Sequence, residues 1–115
     1  MMAPETLIRN YSNSCVNTYK EQEIMMSSPE KCILYLYDAA IQGCAMSQEE
    51  KAGKALAMLI DGLDYQAGGD IAKRLFELYE YCLRLIHRHE FESPIRILKG
   101  IREAWQKALT AELAA

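Results

Sequence analysis

Twice in this chain a serine–proline pair stands directly before an apolar pattern of helical period, at Ser28–Pro29 and at Ser93–Pro94. A serine hydroxyl accepts a hydrogen bond from the free N–H groups of a helix's first turn. Proline at the first helical position gives up an N–H that would have no partner there. The two pairs therefore mark two helix starts. After the first, Ile33, Leu34, Leu36, Tyr37, Ala40, Ile41 and Cys44 recur at three- and four-residue spacing with Tyr35 alongside, so more than one side is apolar. One face of that helix should pack inward and another is available to a partner. After the second pair come Ile97, Leu98, Ile101, Ala104, Trp105, Ala108 and Leu109.

Two further helices lie between them. Ser47 to Glu50, SQEE, reads as a capping box, in which the serine accepts from the Glu50 N–H while the glutamate reaches back. The helix it opens runs to about Leu63, with Ala52, Ala55, Leu56, Leu59, Ile60 and Leu63 on one broad face. Gly53 and Gly62 interrupt it, each costing about 1 kcal/mol relative to alanine, so it leans most on tertiary packing. AGGD, residues 67–70, is a turn, and Asp70 puts negative charge at the next helix start. From there Ile71, Leu75, Leu78, Cys82, Leu85 and His89 follow a heptad seam, and Ala72, Phe76, Tyr79, Leu83 and Ile86 widen it into a two-sided band. That breadth predicts a central helix.

No strand-like alternation of apolar and polar residues competes anywhere. The expected fold is all-α: an up-down antiparallel four-helix bundle with a short N-terminal helix or arm over residues 15–26. Residues 1–14 are expected to form a mobile polar leader, and residues 15–115 a single domain. At 115 residues there is material for one modest core.

Thirteen basic against sixteen acidic residues leave a net charge of −3, and no Lys/Arg run forms the stripe that nucleic acid or an anionic membrane requires. No apolar stretch reaches the ~20 residues needed to span a bilayer, and the N-terminus lacks the plan of a signal peptide. The expected location is cytoplasmic. Cys15, Cys32, Cys44 and Cys82 are too scattered for a disulfide framework. The last three fall on apolar helix positions and are expected to be buried free thiols. His87 and His89 stand two apart and would diverge on a regular helix, and the Glu-x-x-His spacing of di-iron bundles is missing. Gly68 and Gly69 follow no strand, so they make a turn and not a phosphate cradle. Glu49 and Glu50 read as a helix-starting pair. No catalytic, cofactor-binding or metal-binding residue is assigned, and an enzyme is not expected.

Four pieces of the chain carry a resemblance. They are Tyr19 ahead of SSPE; LYDAA at 36–40; LDYQAGGDIAKRLFELYEYCLRLI at 63–86; and REAWQKAL at 102–109. In this order, each on its expected helix, they resemble the FliS family of flagellin export chaperones. Two departures stand out. The stretch between LYD and LD is shorter than the family pattern by about four helical turns, and that between LYEY and REAW by about two, at ~3.6 residues per turn. Both hairpin tips of an up-down bundle lie at one end, so the two deletions together would shorten the bundle there and leave its inner registers intact. Val16 also stands where the family often has tyrosine.

The resemblance implies a chaperone working without ATP. It would hold the disordered C-terminal segment of flagellin, prevent premature polymerisation and deliver the subunit for export. The binding mode would be helix-in-groove, and the N-terminal segment would cover part of the surface until flagellin displaces it. Candidate partner-binding residues are Tyr19, Ile24, Met25, Leu36, Tyr37, Leu63 and Tyr79. For Tyr37 and Tyr79 a core position with the hydroxyl reaching the surface is the favoured reading. Trp105 reads as a packing anchor, and helix termination would account for Asp64. The alternative is a shortened member that has lost flagellin binding and associates with another flagellar export or regulatory protein or with itself. A monomer or weak homodimer is expected.

Overall fold

The computed structural model describes residues 29–114, which form four α-helices and, among the described residues, no strand. They are α1 (Pro29–Ala45), α2 (Glu49–Asp61), α3 (Tyr65–His87) and α4 (Glu92–Ala114). The expected all-α bundle is what the chain forms. Helix α1 begins at Pro29, where the missing N–H is harmless. Ser28 and the whole N-terminal arm lie outside the described residues.

The two hairpin tips are built alike. At the end of α1, Ser47 takes a left-handed backbone at φ 55°, the Gln48 N–H bonds the Gly43 carbonyl at 2.7 Å, and the Ser47 N–H bonds that of Cys44 at 3.1 Å. At the end of α3, His89 takes φ 59°, the Glu90 N–H bonds Leu85 O at 2.9 Å, and the His89 N–H bonds Ile86 O at 2.9 Å. Both are Schellman caps, with a residue other than glycine in the left-handed position. Ser47 is thus spent on closing α1, and the expected capping box does not form. Helix α2 starts at Glu49 behind Gln48, which makes no side-chain cap.

Helix α3 also opens differently from the expectation. The Asp64 carboxylate does not end α2 but caps a short turn beginning at Tyr65, accepting from the Ala67 N–H at 3.0 Å. Gly69, at φ 53° and ψ −130°, then breaks the helical path in a conformation that only glycine adopts without strain, and the long straight part follows. Helix α4 starts at Glu92, which moves Ser93 off the cap and leaves Pro94 in the first turn, where the ring removes no intrahelical bond.

The most extensively packed helix is α1, which lies along both α2 and α4. Helix α3 packs against α2 and least of all against α4. The expectation that α3 is central is therefore corrected. The cause is steric: small residues let α1 and α2 approach until a Cβ built on Gly43 would sit 2.7 Å from the Ala52 nitrogen. A spread apolar band cannot match that contact.

Candidate functional site

The interior is anchored by an aromatic cluster. Tyr37 of α1 and Tyr79 of α3 are fully buried, with ring centroids 6.1 Å apart and their hydroxyls hydrogen-bonded to each other. The Trp105 indole N–H of α4 donates to the Tyr37 hydroxyl at 3.0 Å. A buried hydroxyl is costly unless bonded, so this chain of polar atoms fixes how three helices meet. Neither tyrosine hydroxyl reaches the surface, contrary to the expectation for a core tyrosine. Leu36 is fully buried and Leu63 nearly so. Four of the seven candidate partner residues thus belong to the interior. Tyr19, Ile24 and Met25 lie outside the described residues.

The exposed apolar surface is elsewhere. On α3 the row Ala72, Tyr79 and Ile86 is fully buried, while Ile71 and Leu78 of the heptad row stand 45% and 39% exposed. A helix with two apolar rows can turn only one squarely into a bundle; of the residues read as the seam, Ile71 and Leu78 are left at the margin, while Cys82 is fully buried and Leu75 packs against the core. Leu83 marks the side of α3 turned to α2, since a Cβ on Gly53 would meet its Cδ2 at 3.8 Å. Ile71, Leu78 and Leu85 stand on the opposite flank, next to α4.

Exposure along this row rises away from the α3–α4 turn: Leu85 is 8% exposed, Leu78 39% and Ile71 45%. The facing side of α4 follows the same course, with Ile97 and Ile101 half-buried and Ala104 and Ala108 exposed. Asp38 of α1 fixes the other side of α4, holding the Arg102 guanidinium through bonds of 2.6 and 3.2 Å. Helices α3 and α4 pack against each other least of the neighbouring pairs, and their margin carries half-buried and exposed aliphatic and small side chains. Tyr81, 44% exposed with the Arg84 guanidinium 5.9 Å above its ring, borders it.

The histidines do not behave as a regular helix would have them. Helix α3 ends at His87, and the left-handed His89 swings its ring back. Both then meet Glu49, His87 Nδ1 at 3.0 Å from Oε1 and His89 Nε2 at 3.5 Å from Oε2. The hydrogen bond from His87 is the main cause holding the Glu49 carboxyl below its usual pKa. Because Glu49 opens α2 and the histidines close α3, the contact places both hairpin tips at one end. Among the described residues no group of three or more His, Cys, Asp or Glu side chains is arranged to hold a metal ion. Cys44 and Cys82 are buried free thiols, each pushed up to about 11 by burial and so unreactive at neutral pH. Cys32 is disulfide-bonded, which corrects the expectation of a free thiol.

Comparison with known proteins identifies this arrangement. A family model described as flagellar protein FliS matches residues 11–112. The chain belongs to the FliS family. Three curated relatives are each named flagellar secretion chaperone FliS. The protein from Campylobacter jejuni is 26% identical over 125 residues, covering 90% of this chain and 98% of the relative. That from Salmonella typhimurium is 28% identical, covering 84% and 91%, and that from Vibrio cholerae 31% identical, covering 76% and 79%. The first alignment is longer than this 115-residue chain, so this FliS member lacks stretches that its Campylobacter relative has. No solved structure gives a significant match. No helix among the described residues is long and apolar enough to cross a membrane.

Proposed function

We propose that this FliS member is a cytoplasmic secretion chaperone that binds the disordered C-terminal segment of flagellin, keeps it from polymerising early and delivers it for export. The groove between α3 and α4 receives the segment as an amphipathic helix, with Ile71, Leu78 and Tyr81 on one wall and Ile97, Ile101, Ala104 and Ala108 on the other. The observation that carries this reading is the graded exposure of Leu85, Leu78 and Ile71, an apolar row at the margin of the core whose exposure rises away from the turn. A partner helix there would extend the bundle's own packing, at the cost of ordering a flexible chain. The names of the three relatives point the same way. No catalytic step is involved.

Titration calorimetry with a flagellin C-terminal peptide from the same cell tests the proposal. Binding with a negative heat-capacity change, lost in Leu78→Asp, is expected. No heat and no co-elution at tens of micromolar defeats it. The proposal includes an N-terminal segment, with Tyr19, Ile24 and Met25, that competes for the surface. Tyr19→Ala should then tighten binding, whereas weaker binding would make Tyr19 a direct contact. The lacking stretches favour a second reading, in which flagellin binding is lost and another flagellar protein or a second copy is bound. Inert peptide titrations together with concentration-dependent self-association would support it.

A further inference from the structure

The four cysteines of this chain fall into two kinds. Cys44 and Cys82 are buried free thiols, whereas Cys32 is disulfide-bonded. Within the chain that leaves Cys15, which lies outside the described residues, as the partner of Cys32. Exchange onto either of the other two is disfavoured, because burial keeps both thiols protonated at neutral pH. A protein that works in the cytoplasm rarely keeps a permanent disulfide, and one that forms there is typically transient and redox-responsive.

The position of Cys32 decides what such a bond does. Cys32 precedes Gly43 by eleven residues, three turns of helix, so it stands on the side of α1 that meets α2. Asp38 and Tyr37, bonded to Arg102 and Trp105, mark the α4 side. The bond therefore draws residue 15 to the α1–α2 seam. Bonded cysteines have Cα atoms about 5.5–6 Å apart and the four residues from Cys15 to Tyr19 span at most ~14 Å, so Tyr19 stays within about 20 Å of Cys32. Without the bond its tether is the ten residues to Pro29, which reach about 35 Å. The α3–α4 margin lies two helix widths from that seam, about 20–24 Å, whether the path runs round α2 and α3 or round α1 and α4. The open arm reaches it and the closed arm does not.

We infer that Cys15 and Cys32 form a reversible disulfide that withdraws the N-terminal arm to the α1–α2 side of the bundle and so clears the α3–α4 margin for the client. Closure removes one proton and one electron from each thiol. A low-molecular-weight disulfide accepts them and leaves as two thiols, and excess thiol reverses the exchange. Control of binding rests on the client reading above, whereas the bond itself does not.

Peptide mapping and calorimetry on the whole chain test it. Protein equilibrated with oxidised glutathione should yield a Cys15–Cys32 cross-linked peptide that opens on reduction, with Cys44 and Cys82 recovered as free thiols. Its affinity for the flagellin C-terminal peptide should exceed that of the reduced protein by at least about threefold, because the effective concentration of the arm at the margin falls. Cys15→Ser should bind as the reduced wild type does under both conditions, and Tyr19→Ala should remove the difference between the two states. Cys15 recovered as a free thiol in the oxidised protein, or paired with a second copy, overturns the bond. A mapped bond with equal or weaker affinity in the oxidised state overturns the control and leaves the flagellin reading standing. A wild type that binds no peptide in either state, with no binding by Tyr19→Ala, overturns the control and that reading together.

Discussion

Gly43 offers the sharpest test of how this bundle is held together, because the structure sets its substitution by alanine against a matched control at Gly53. A Cβ added at Gly43 would stand 2.7 Å from the Ala52 backbone nitrogen and 3.0 Å from both its Cα and Cβ. Carbon atoms pack best at about 3.5–4.0 Å, so the deficit is roughly 0.5–1 Å. The obstructing atoms are mostly main chain and cannot rotate away. Helices α1 and α2 must separate instead, which loosens the core between them. Forced overpacking of this kind costs about 1–3 kcal/mol, against a gain of at most ~1 kcal/mol from replacing a helical glycine. The net expectation is a loss of about 1–2 kcal/mol, or some 3–8 °C in midpoint for a chain of this size.

At Gly53 the added Cβ meets only Leu83 Cδ2 at 3.8 Å, an ordinary contact. There the helix-propensity term acts alone, and Gly53→Ala should stabilise by about 0.5–1 kcal/mol. Trp105 is the single tryptophan and is buried against Tyr37, so its fluorescence follows global unfolding in urea. Gly43→Ala should move the midpoint down and Gly53→Ala up, with unchanged slopes. A neutral or stabilising Gly43→Ala would refute the close α1–α2 approach, and with it the reason given for α1 being the best-packed helix.

Ser47 holds a left-handed backbone that costs an L-residue about 1–2 kcal/mol, and its side chain is exposed, so Ser47→Gly should raise stability by about 0.5–1 kcal/mol in the same urea assay. No gain would mean that the Schellman cap at this tip is not formed. The Glu49 carboxyl is held below the usual glutamate range by the His87 hydrogen bond, so its contribution to stability is present above the unfolded pKa and lost as pH falls through the lowered folded pKa. Carboxyl carbon NMR should show Glu49 titrating closer to 4.5 in His87→Ala, and an unmoved titration would disprove the contact.

Helix existence and the antiparallel plan were legible because period and punctuation agreed. Pro29, the AGGD break and the Ser93–Pro94 start each coincide with an observed change of path within a residue or two. The caps were not legible in the same way. SQEE has the composition of a capping box, but the chain needs a left-handed residue to close α1, and Ser47 is the one available. That demand comes from where α2 must lie, so no local pattern announces it. The same holds for His87 and His89: a regular helix would send them apart, and only the left-handed turn at His89 brings both to Glu49. The interior aromatic cluster was half legible. Trp105 reads as a packing anchor and Tyr37 and Tyr79 as core or partner-binding residues, but their hydrogen bonds join residues from three helices, which no local pattern shows.

The exposed row is the instructive failure of pattern reading. Ile71, Leu78 and Leu85 keep the same heptad spacing as Ala72, Tyr79 and Ile86, and it is the aliphatic character of the first row that nominates it as the seam. Side-chain volume decides otherwise. Turning the Tyr79 row inward lets two phenol groups and an indole satisfy one another across the bundle, and it places Ala72 where little space remains. Turning the Ile71 row inward would leave the Tyr79 hydroxyl to be bonded elsewhere. Once the tyrosine row is committed, α3 cannot also close against α4 along its whole length, because its aliphatic row then stands at the edge of the contact. The proposed groove would then be a consequence of how the core is satisfied. Widening Ala104 and Ala108 to leucine should narrow it by filling its α4 wall without touching the aromatic cluster, lowering the affinity for a client peptide while stability holds or rises. Falling stability on those two exposed substitutions would mean that α3 and α4 are already in contact along this edge, and the groove reading would fail.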